Sequence, residues 1–367
     1  MRLGMDVRAA LWYRASGIGT YSYQMWHNLQ TFSGIKYQLV PLGEKLEKIG
    51  PVSSPLRLKK IDFWQALYNG SDYVIEDLDL YHNPQNGFGL PVLHPAIPLV
   101  VTIHDLIPYI LPQTCSRVYL RLFLEHLPRI VEHARLIIAV SNNTKEDIVR
   151  TFRVKTNKIR VIYEAAEPVY KPLTPEERKA EIIHKYGLKE NYFLHVGGFS
   201  RRKNALAVIR AFARLSKKLP DWQLAIVGRP GGGCFNQCIK LIEYFNLRGR
   251  VILTGLVPVD DMPHLYCHAR ALVYPSLYEG FGLPVLEAMA CRIPCIVGNT
   301  SSMPEIVGES AILINPYELP EIEEAMWIIA NDDILAETLR MKGEARVKNY
   351  SWQKAARETL QAYEDVL

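Results

Sequence analysis

Tyr274-Pro275-Ser276-Leu277-Tyr278-Glu279-Gly280-Phe281-Gly282-Leu283-Pro284-Val285-Leu286-Glu287-Ala288-Met289-Ala290 decides the fold. The apolar run ending at Tyr274 is strand-sized, two glycines break the chain after Glu279, and the residues from Leu283 onward are helical in pattern. Pro284 suits the first turn of that helix, where a missing N–H costs no intrahelical bond. Phe281, Gly282 and Leu283 therefore bring backbone amides to the helix entrance, an arrangement that favours phosphate or sugar oxygens. The same strand-then-helix alternation extends to either side. Strand-like runs at 192–196, 223–227, 251–253, 271–274 and 295–297 form one set; runs at 2–7, 99–103, 136–140 and 159–162, with helical patterns at 18–31, 117–134 and 142–153, form another. Between the sets stands Pro168-Val169-Tyr170-Lys171-Pro172-Leu173-Thr174-Pro175, whose prolines stiffen a linker and block continuous helix. The expected fold class is therefore α/β, with two doubly wound Rossmann-like domains at 1–170 and 171–350 and a terminal helical segment at 351–367 that crosses back to the first. In such sheets ligands sit at the carboxyl ends of the strands, here in a deep cleft opened between the domains.

Four groups of residues carry chemistry. Glu279 and Glu287 are separated by loop glycines and Pro284, so one carboxylate sits on the loop and the other a turn inside the helix. Glu279 is placed to meet a sugar ring and Glu287 to accept hydrogen bonds from ribose hydroxyls. The plainer alternatives are a solvated loop charge and an early-turn acid that favours the helix dipole. Upstream, His195-Val196-Gly197-Gly198-Phe199-Ser200-Arg201-Arg202-Lys203-Asn204 puts three cations after a strand, either as solvated surface or, at a strand's carboxyl end, as an anion site. Ser16-Gly17-Ile18-Gly19-Thr20-Tyr21 is by itself a tight turn and a helix start. Val101-Thr102-Ile103-His104-Asp105-Leu106 ends a buried strand in a polar pair. Metal ligation is the other use of such a pair, but no second His/Asp cluster with ligand spacing accompanies it.

In this order, these pieces resemble the large retaining glycosyltransferase family 4, whose Glu-x7-Glu signature matches Glu279 to Glu287, and the resemblance extends over nearly the whole chain. It implies a GT-B fold and the transfer of a hexose from a nucleotide diphosphate sugar to a saccharide or polyprenyl-linked saccharide, with retention and no metal or cofactor. By this match Arg202 and Lys203 hold the donor diphosphate, the first as a planar fork and the second as a point charge. Gly17 and Gly19 lie near the phosphates and the acceptor, and the amides of Gly19 and Leu283 help to stabilise the diphosphate. Gly280, Phe281, Gly282 and Leu283 border the donor, Glu279 orients the hexose, and Glu287 holds the ribose. His104 faces the transferred sugar through its side chain or its carbonyl, and Asp105 supports it or the acceptor. The family pattern often has a basic residue where this chain has Gly198, which leaves either Arg201 as a substitute or a site of two cations. Residues 1–8, with Gly17-Ile18-Gly19 and Thr102-Ile103-His104-Asp105, look most like bacterial mannosyltransferases of surface-polysaccharide synthesis, including O-antigen, which implies GDP-mannose. UDP-glucose, UDP-GlcNAc and dTDP-rhamnose stay open as donors. Two competing readings are a sugar-nucleotide epimerase of the same fold, which needs differently placed carboxylates and histidines, and a nonenzymatic nucleotide-sugar-binding protein, which has little use for His104 and Asp105.

Composition sets the outer bounds. At 367 residues the chain is long enough for two cores, and with about half its residues apolar it is expected to fold throughout. A formal charge of +5 is too small for a dedicated nucleic-acid binder and compatible with an anionic ligand. The six cysteines contain no CxxC pair and sit mostly in apolar runs, as expected of buried reduced thiols. Met1-Arg2-Leu3-Gly4-Met5-Asp6-Val7 meets charge before any long apolar stretch develops, and no apolar run reaches the roughly 18 residues of a spanning helix, so a cytoplasmic protein is expected. Any membrane contact is then peripheral, on the inner face. The basic, aromatic helix at 117–124 either lies on an anionic membrane or packs on its own sheet.

Overall fold

The computed structural model describes residues 1–12, 16–32, 36–42, 74–75, 77–90 and 92–367. The chain forms two units, Met1–Ala165 with Tyr350–Leu367, and Ala166–Asn349.

In the first unit the strands are β1 (Arg2–Asp6), β2 (Gln38–Leu42), β3 (Val74–Ile75), β4 (Leu80–Asn83), β5 (Val92–Leu93), β6 (Leu99–Ile103), β7 (Leu136–Ala139) and β8 (Ile159–Val161). Six of them form a parallel sheet in the order β2-β1-β4-β6-β7-β8, while β3 and β5 pair separately. Parallel neighbours need crossovers. Helices Gly17–Gln30, Arg117–His133 and Asn142–Phe152 supply them between β1 and β2, β6 and β7, and β7 and β8. Helices on both faces explain why all five residues of β6 are buried and four of them are apolar. The helix Arg117–His133 turns Leu122, Phe123, Leu127, Ile130 and Val131 inward, so its apolar stripe packs on its own sheet. Val118 and Leu124 remain exposed on its outer face. Tyr350–Leu367 belongs to this unit, where Trp352, Leu360 and Tyr363 of the helix Trp352–Glu364 are buried.

The second unit contains β9 (Tyr192–Val196), β10 (Gln223–Val227), β11 (Val251–Gly255), β12 (Ala271–Tyr274), β13 (Cys295–Gly298) and β14 (Ile312–Ile314), all parallel, in the order β11-β10-β9-β12-β13-β14. The order of connection reverses between β9 and β12. In an open α/β sheet this is where a crevice forms beyond the carboxyl ends of the strands.

The division at Ala165/Ala166 comes five residues before the expected 170/171. Its cause is packing: the Tyr170 ring meets Tyr266 edge-on at 5.7 Å, and Cys267 Sγ lies 3.6 Å from the carbonyl oxygen of Lys171, so the proline segment packs with the second unit. All six cysteines are free; Cys115 is half-buried and the other five are buried. Among the described residues no helix is long and apolar enough to cross a membrane.

Candidate functional site

The loops that leave β9 and β12 meet at this reversal. After β9, Gly197 and Gly198 turn the chain with φ of 126° and 73°, into a short 3-10 turn, Arg201–Lys203, and then the helix Ala205–Leu215. Glycine at position 198 has a local reason. Its left-handed φ of 73° disfavours side chains, although a Cβ there would meet the facing Gly228 Cα only at an ordinary 3.6 Å. A basic residue in place of Gly198 would strain this turn. Arg201 is exposed and lines a cavity of about 370 Å³ with Asn204, Leu206, Cys234 and Gln237. Arg202 and Lys203 instead reach the loop after β12.

There, Glu279 is buried and holds both cations: Oε2 lies 2.6 Å from an Arg202 guanidinium nitrogen and Oε1 lies 2.7 Å from Lys203 Nζ. The hydroxyls of Tyr274 and Ser276 donate to Oε1 at 2.9 and 2.7 Å. Lys203 also donates to the Tyr274 hydroxyl and stands over that ring, 4.7 Å from its centre. Burial alone would raise the Glu279 pKa, but the charges of Arg202 and Lys203 outweigh it and hold the carboxyl at about 2. Glu279 is therefore a fixed anion, and with its two partners forms a buried network of formal charge +1. Arg202 also donates to the carbonyl of Tyr278 at 2.8 Å, tying the two loops together.

From the end of β13, Ser301 and Ser302 shape the loop. Glu279 N–H donates to Ser301 Oγ at 2.8 Å, and Ser302 Oγ donates to the carbonyls of Glu279 and Phe281 at 3.0 and 3.1 Å. Gly280, Phe281, Gly282 and Leu283 are buried and lead into the helix Leu283–Ala290. Gly282 stands at the helix entrance with φ 108°, and a Cβ there would meet Met303 Cε at 2.3 Å. One turn on, Glu287 Oε2 accepts from the Tyr266 hydroxyl at 2.8 Å. Burial raises its pKa to about 7, with the Glu167 charge adding to burial and Tyr266 and Lys203 opposing it. His195 lies beneath, fully buried: Nδ1 donates to the Val273 carbonyl at 2.8 Å, Nε2 meets no partner, and burial lowers its pKa to about 4.

Glu279, Arg202, Lys203, Gly280, Phe281, Gly282, Leu283 and Glu287, all marked by the sequence, lie together in the second unit. The roles of Tyr274, Ser276, Ser301 and Ser302 are not among the sequence expectations. The available signal was the polar run Asn299-Thr300-Ser301-Ser302 directly after a buried strand beside β12.

The remaining candidates lie in the first unit. Ser16 caps the helix Gly17–Gln30, and its Oγ accepts from Gly19 N–H at 3.1 Å. The Gly19 amide is thus engaged within the cap. Gly17 is exposed at the start of the helix. Tyr21, one turn further, meets the His104 ring edge-on at 4.8 Å, bringing this helix and the end of β6 together. His104 is buried, with Nδ1 3.0 Å from Glu164 Oε1 and Nε2 2.8 Å from the Pro84 carbonyl oxygen, while its backbone N–H donates to Asn86 Oδ1 at 2.7 Å. Asp105 Oδ1 accepts from Ile107 N–H at 3.0 Å, at the start of the short helix Ile107–Ile110.

Comparison with known proteins adds the family context. Residues 177–346 match the family described as Glycosyl transferases group 1, and residues 32–168 match Glycosyltransferase Family 4. The chain is similar to O-antigen chain mannosyltransferase B of Escherichia coli, 31% identical over 299 residues that cover 81% of this chain and 76% of that protein. It is also similar to O-antigen chain mannosyltransferase RfbU of Salmonella typhimurium, 33% identical over 61% of this chain and 59% of that protein. Among solved structures, the sucrose-phosphate synthase of Thermosynechococcus elongatus superposes with a TM-score of 0.76 at 21% identity, over 100% of this chain and 99% of that one.

Proposed function

The chain belongs to the group 1 and family 4 glycosyltransferases and has their GT-B fold of two Rossmann-like domains; on that premise we propose that it transfers mannose from GDP-mannose, with retention and without a metal ion, to a saccharide or polyprenyl-linked saccharide in surface-polysaccharide synthesis. The observation that carries the donor site is Glu279 bound by Arg202 and Lys203 where the β9 and β12 loops converge. The mannose assignment is supported by the mannosyltransferases similar to this chain.

A diphosphate entering this network meets two cations already oriented and desolvated. When the bond from the anomeric carbon to the phosphate oxygen breaks, its electron pair stays on the diphosphate, where Arg202 and Lys203 stabilise the growing negative charge. The acceptor hydroxyl oxygen bonds to the same face of the anomeric carbon and passes its proton to the departing phosphate oxygen. Glu279, fixed as an anion, orients the hexose hydroxyls and offsets positive charge on the sugar. Glu287 accepts from the ribose hydroxyls. Contact with the inner face of a membrane runs through the outer side of the helix Arg117–His133, where Val118 and Leu124 stand among Arg117, Arg129 and the Arg121–Glu125 pair.

The test supplies purified protein with GDP-mannose, UDP-glucose, UDP-GlcNAc or dTDP-rhamnose, with and without EDTA, and a polyprenyl diphosphate oligosaccharide as acceptor. The expected result is an α-linked mannosyl product from GDP-mannose alone, undiminished by chelator and lost in Lys203→Ala. Transfer from another donor overturns the mannose assignment, and an inverted product overturns retention. Interconversion of a free nucleotide sugar without transfer identifies an epimerase instead.

A further inference from the structure

We propose that Glu164 is a positioning residue that holds the His104 ring doubly protonated and thereby withdraws it from proton transfer to or from the acceptor. The inference rests on the glycosyl-transfer reading only for its consequence in turnover; the state of the ring follows from geometry within the first unit.

The two atoms that face the ring nitrogens are both acceptors. Glu164 Oε1 stands 3.0 Å from Nδ1, and the carbonyl oxygen of Pro84 stands 2.8 Å from Nε2. A neutral imidazole has one N–H and one lone pair, so it would satisfy one of these contacts and leave a lone pair facing oxygen in the other. A second proton satisfies both. Placing that proton on Glu164 instead also satisfies both contacts, with the carboxyl donating to Nδ1 and Nε2 donating to Pro84, but the nearby Asp105 charge favours the ring as its seat. In either arrangement no ring nitrogen presents a lone pair to a substrate.

The other groups around the ring agree. Burial by itself lowers the His104 pKa, but the hydrogen bond and charge of Glu164, the Pro84 carbonyl and the charge of Asp105 raise it above the ordinary value. The facing Tyr21 ring presents an edge-on contact. His82, the neighbouring histidine, is in the opposite state. Its nitrogens meet hydroxyls, Tyr363 at 2.6 Å and Thr102 at 2.8 Å, which can donate or accept, and burial together with the His104 charge holds it neutral, at about 3. Two buried histidines on adjacent strands thus take opposite charge states because one faces fixed acceptors and the other adaptable hydroxyls. Glu164 sits just past β8, is 3% exposed, and follows Tyr163 in a stretch with no charge pattern that would mark it.

The experiment is NMR of protein carrying 15N-labelled histidine rings, with H104Q to assign the His104 signals, together with the pH dependence of transfer. In the wild-type chain both His104 nitrogens are expected to stay protonated at pH values above the ordinary histidine midpoint of about 6.5, and kcat is expected to carry no step from this ring around that midpoint. In E164Q the ring is expected to titrate at or below about 6.5. The kcat of E164Q is expected to fall by roughly tenfold to a hundredfold at the alkaline end, to recover as the pH drops and the ring regains its proton, and to do so with the donor KM unchanged. E164D, which keeps a carboxylate, is expected to restore the flat profile. A neutral His104 ring in the wild-type chain at pH 7 overturns the proposal, as does an E164Q profile that runs parallel to that of wild type. The wild-type spectrum decides the ring state even if E164Q fails to fold. Absence of transfer from every donor defeats the proposed function while leaving that spectral result standing.

Discussion

Lys203 touches the Glu279 carboxylate, the Tyr274 hydroxyl and the Tyr274 ring face at once, so its removal acts on ligand and protein together. Lys203→Ala is expected to weaken GDP binding by roughly tenfold to a hundredfold, the value of a charged hydrogen bond, as measured by titration calorimetry. The same substitution exposes the linkage of Glu279 to pH. Its folded pKa of about 2 lies below the ordinary 4.5, so its contribution to stability is complete above pH 4.5 and is lost as the pH falls from there toward 2. With Lys203 gone, burial counts for more, the folded pKa rises, and the loss of Tm across that acid window is expected to shrink. Glu287 has the opposite sign. Its pKa of about 7 means that the unliganded site holds a proton at mildly acid pH, whereas ribose hydroxyls need an acceptor. GDP is therefore expected to bind more tightly at about pH 8 than at about pH 6, a difference that Glu287→Gln abolishes; equal Kd values at both pH values in the wild-type chain count against the ribose role. At this scale the sequence was readable where the chemistry was unusual for its place. A Glu beside loop glycines and an Arg-Lys pair at a strand end stand out. Ser301 and Ser302 do not, because a serine that orders a loop has the same letter as one that merely faces water, and only the bonds to Glu279 and Phe281 distinguish them.

The helix Leu283–Ala290 depends on its entrance more than on its length. Gly282 holds a φ of 108° that side-chain-bearing residues rarely adopt, and Met303 occupies the space a Cβ would need. Gly282→Ala is expected to cost ~1–3 kcal/mol, or ~2–12 °C in Tm for a unit of this size, and to weaken GDP binding as the entrance amides shift. An unchanged melting curve would show that the loop relaxes freely, and with it that the glycine is not needed for shape. The elements that are legible are those whose apolar runs are unbroken, such as β7 and β12, since strands buried on both faces need apolar residues on both. β4 is not legible, because Leu80-Tyr81-His82-Asn83, although wholly buried, is half polar. His82 is satisfied by Thr102 and Tyr363, and Asn83 donates to the Phe88 carbonyl at 2.9 Å and accepts from the Gln85 and Gly87 amides. Partners in the following loop for Asn83 and far along the chain for His82 allow polar letters in a buried strand, and periodicity is blind to both.

For the whole molecule the informative segment is the last one. The chain builds most of the first unit, completes the second as one continuous stretch, Ala166–Asn349, and returns with Tyr350–Leu367 to the first. The helical pattern of that tail is legible in the sequence. The partner of the tail rests on contacts spanning hundreds of residues, such as the 2.6 Å bond between Tyr363 and His82 and the edge-on meeting of Trp352 with Tyr21. This connectivity separates the stabilities of the two units. Tyr363→Phe leaves His82 Nδ1 buried without its partner, an expected loss of ~1–3 kcal/mol, and every contact it removes belongs to the first unit. Hydrogen exchange is expected to speed up in β4, in β6 and in the helix Gly17–Gln30, with no change in the strands from β9 to β14. Deleting 350–367 carries the same logic to its limit, because Trp352, Leu360 and Tyr363 are then missing from the first core while the second unit keeps every residue of its own. Limited proteolysis of that truncated chain is expected to leave a resistant fragment close to 166–349, still able to bind GDP through Arg202 and Lys203. Its digestion at the same rate as the rest would mean that the second unit draws its stability from the first unit as well as from its own sheet.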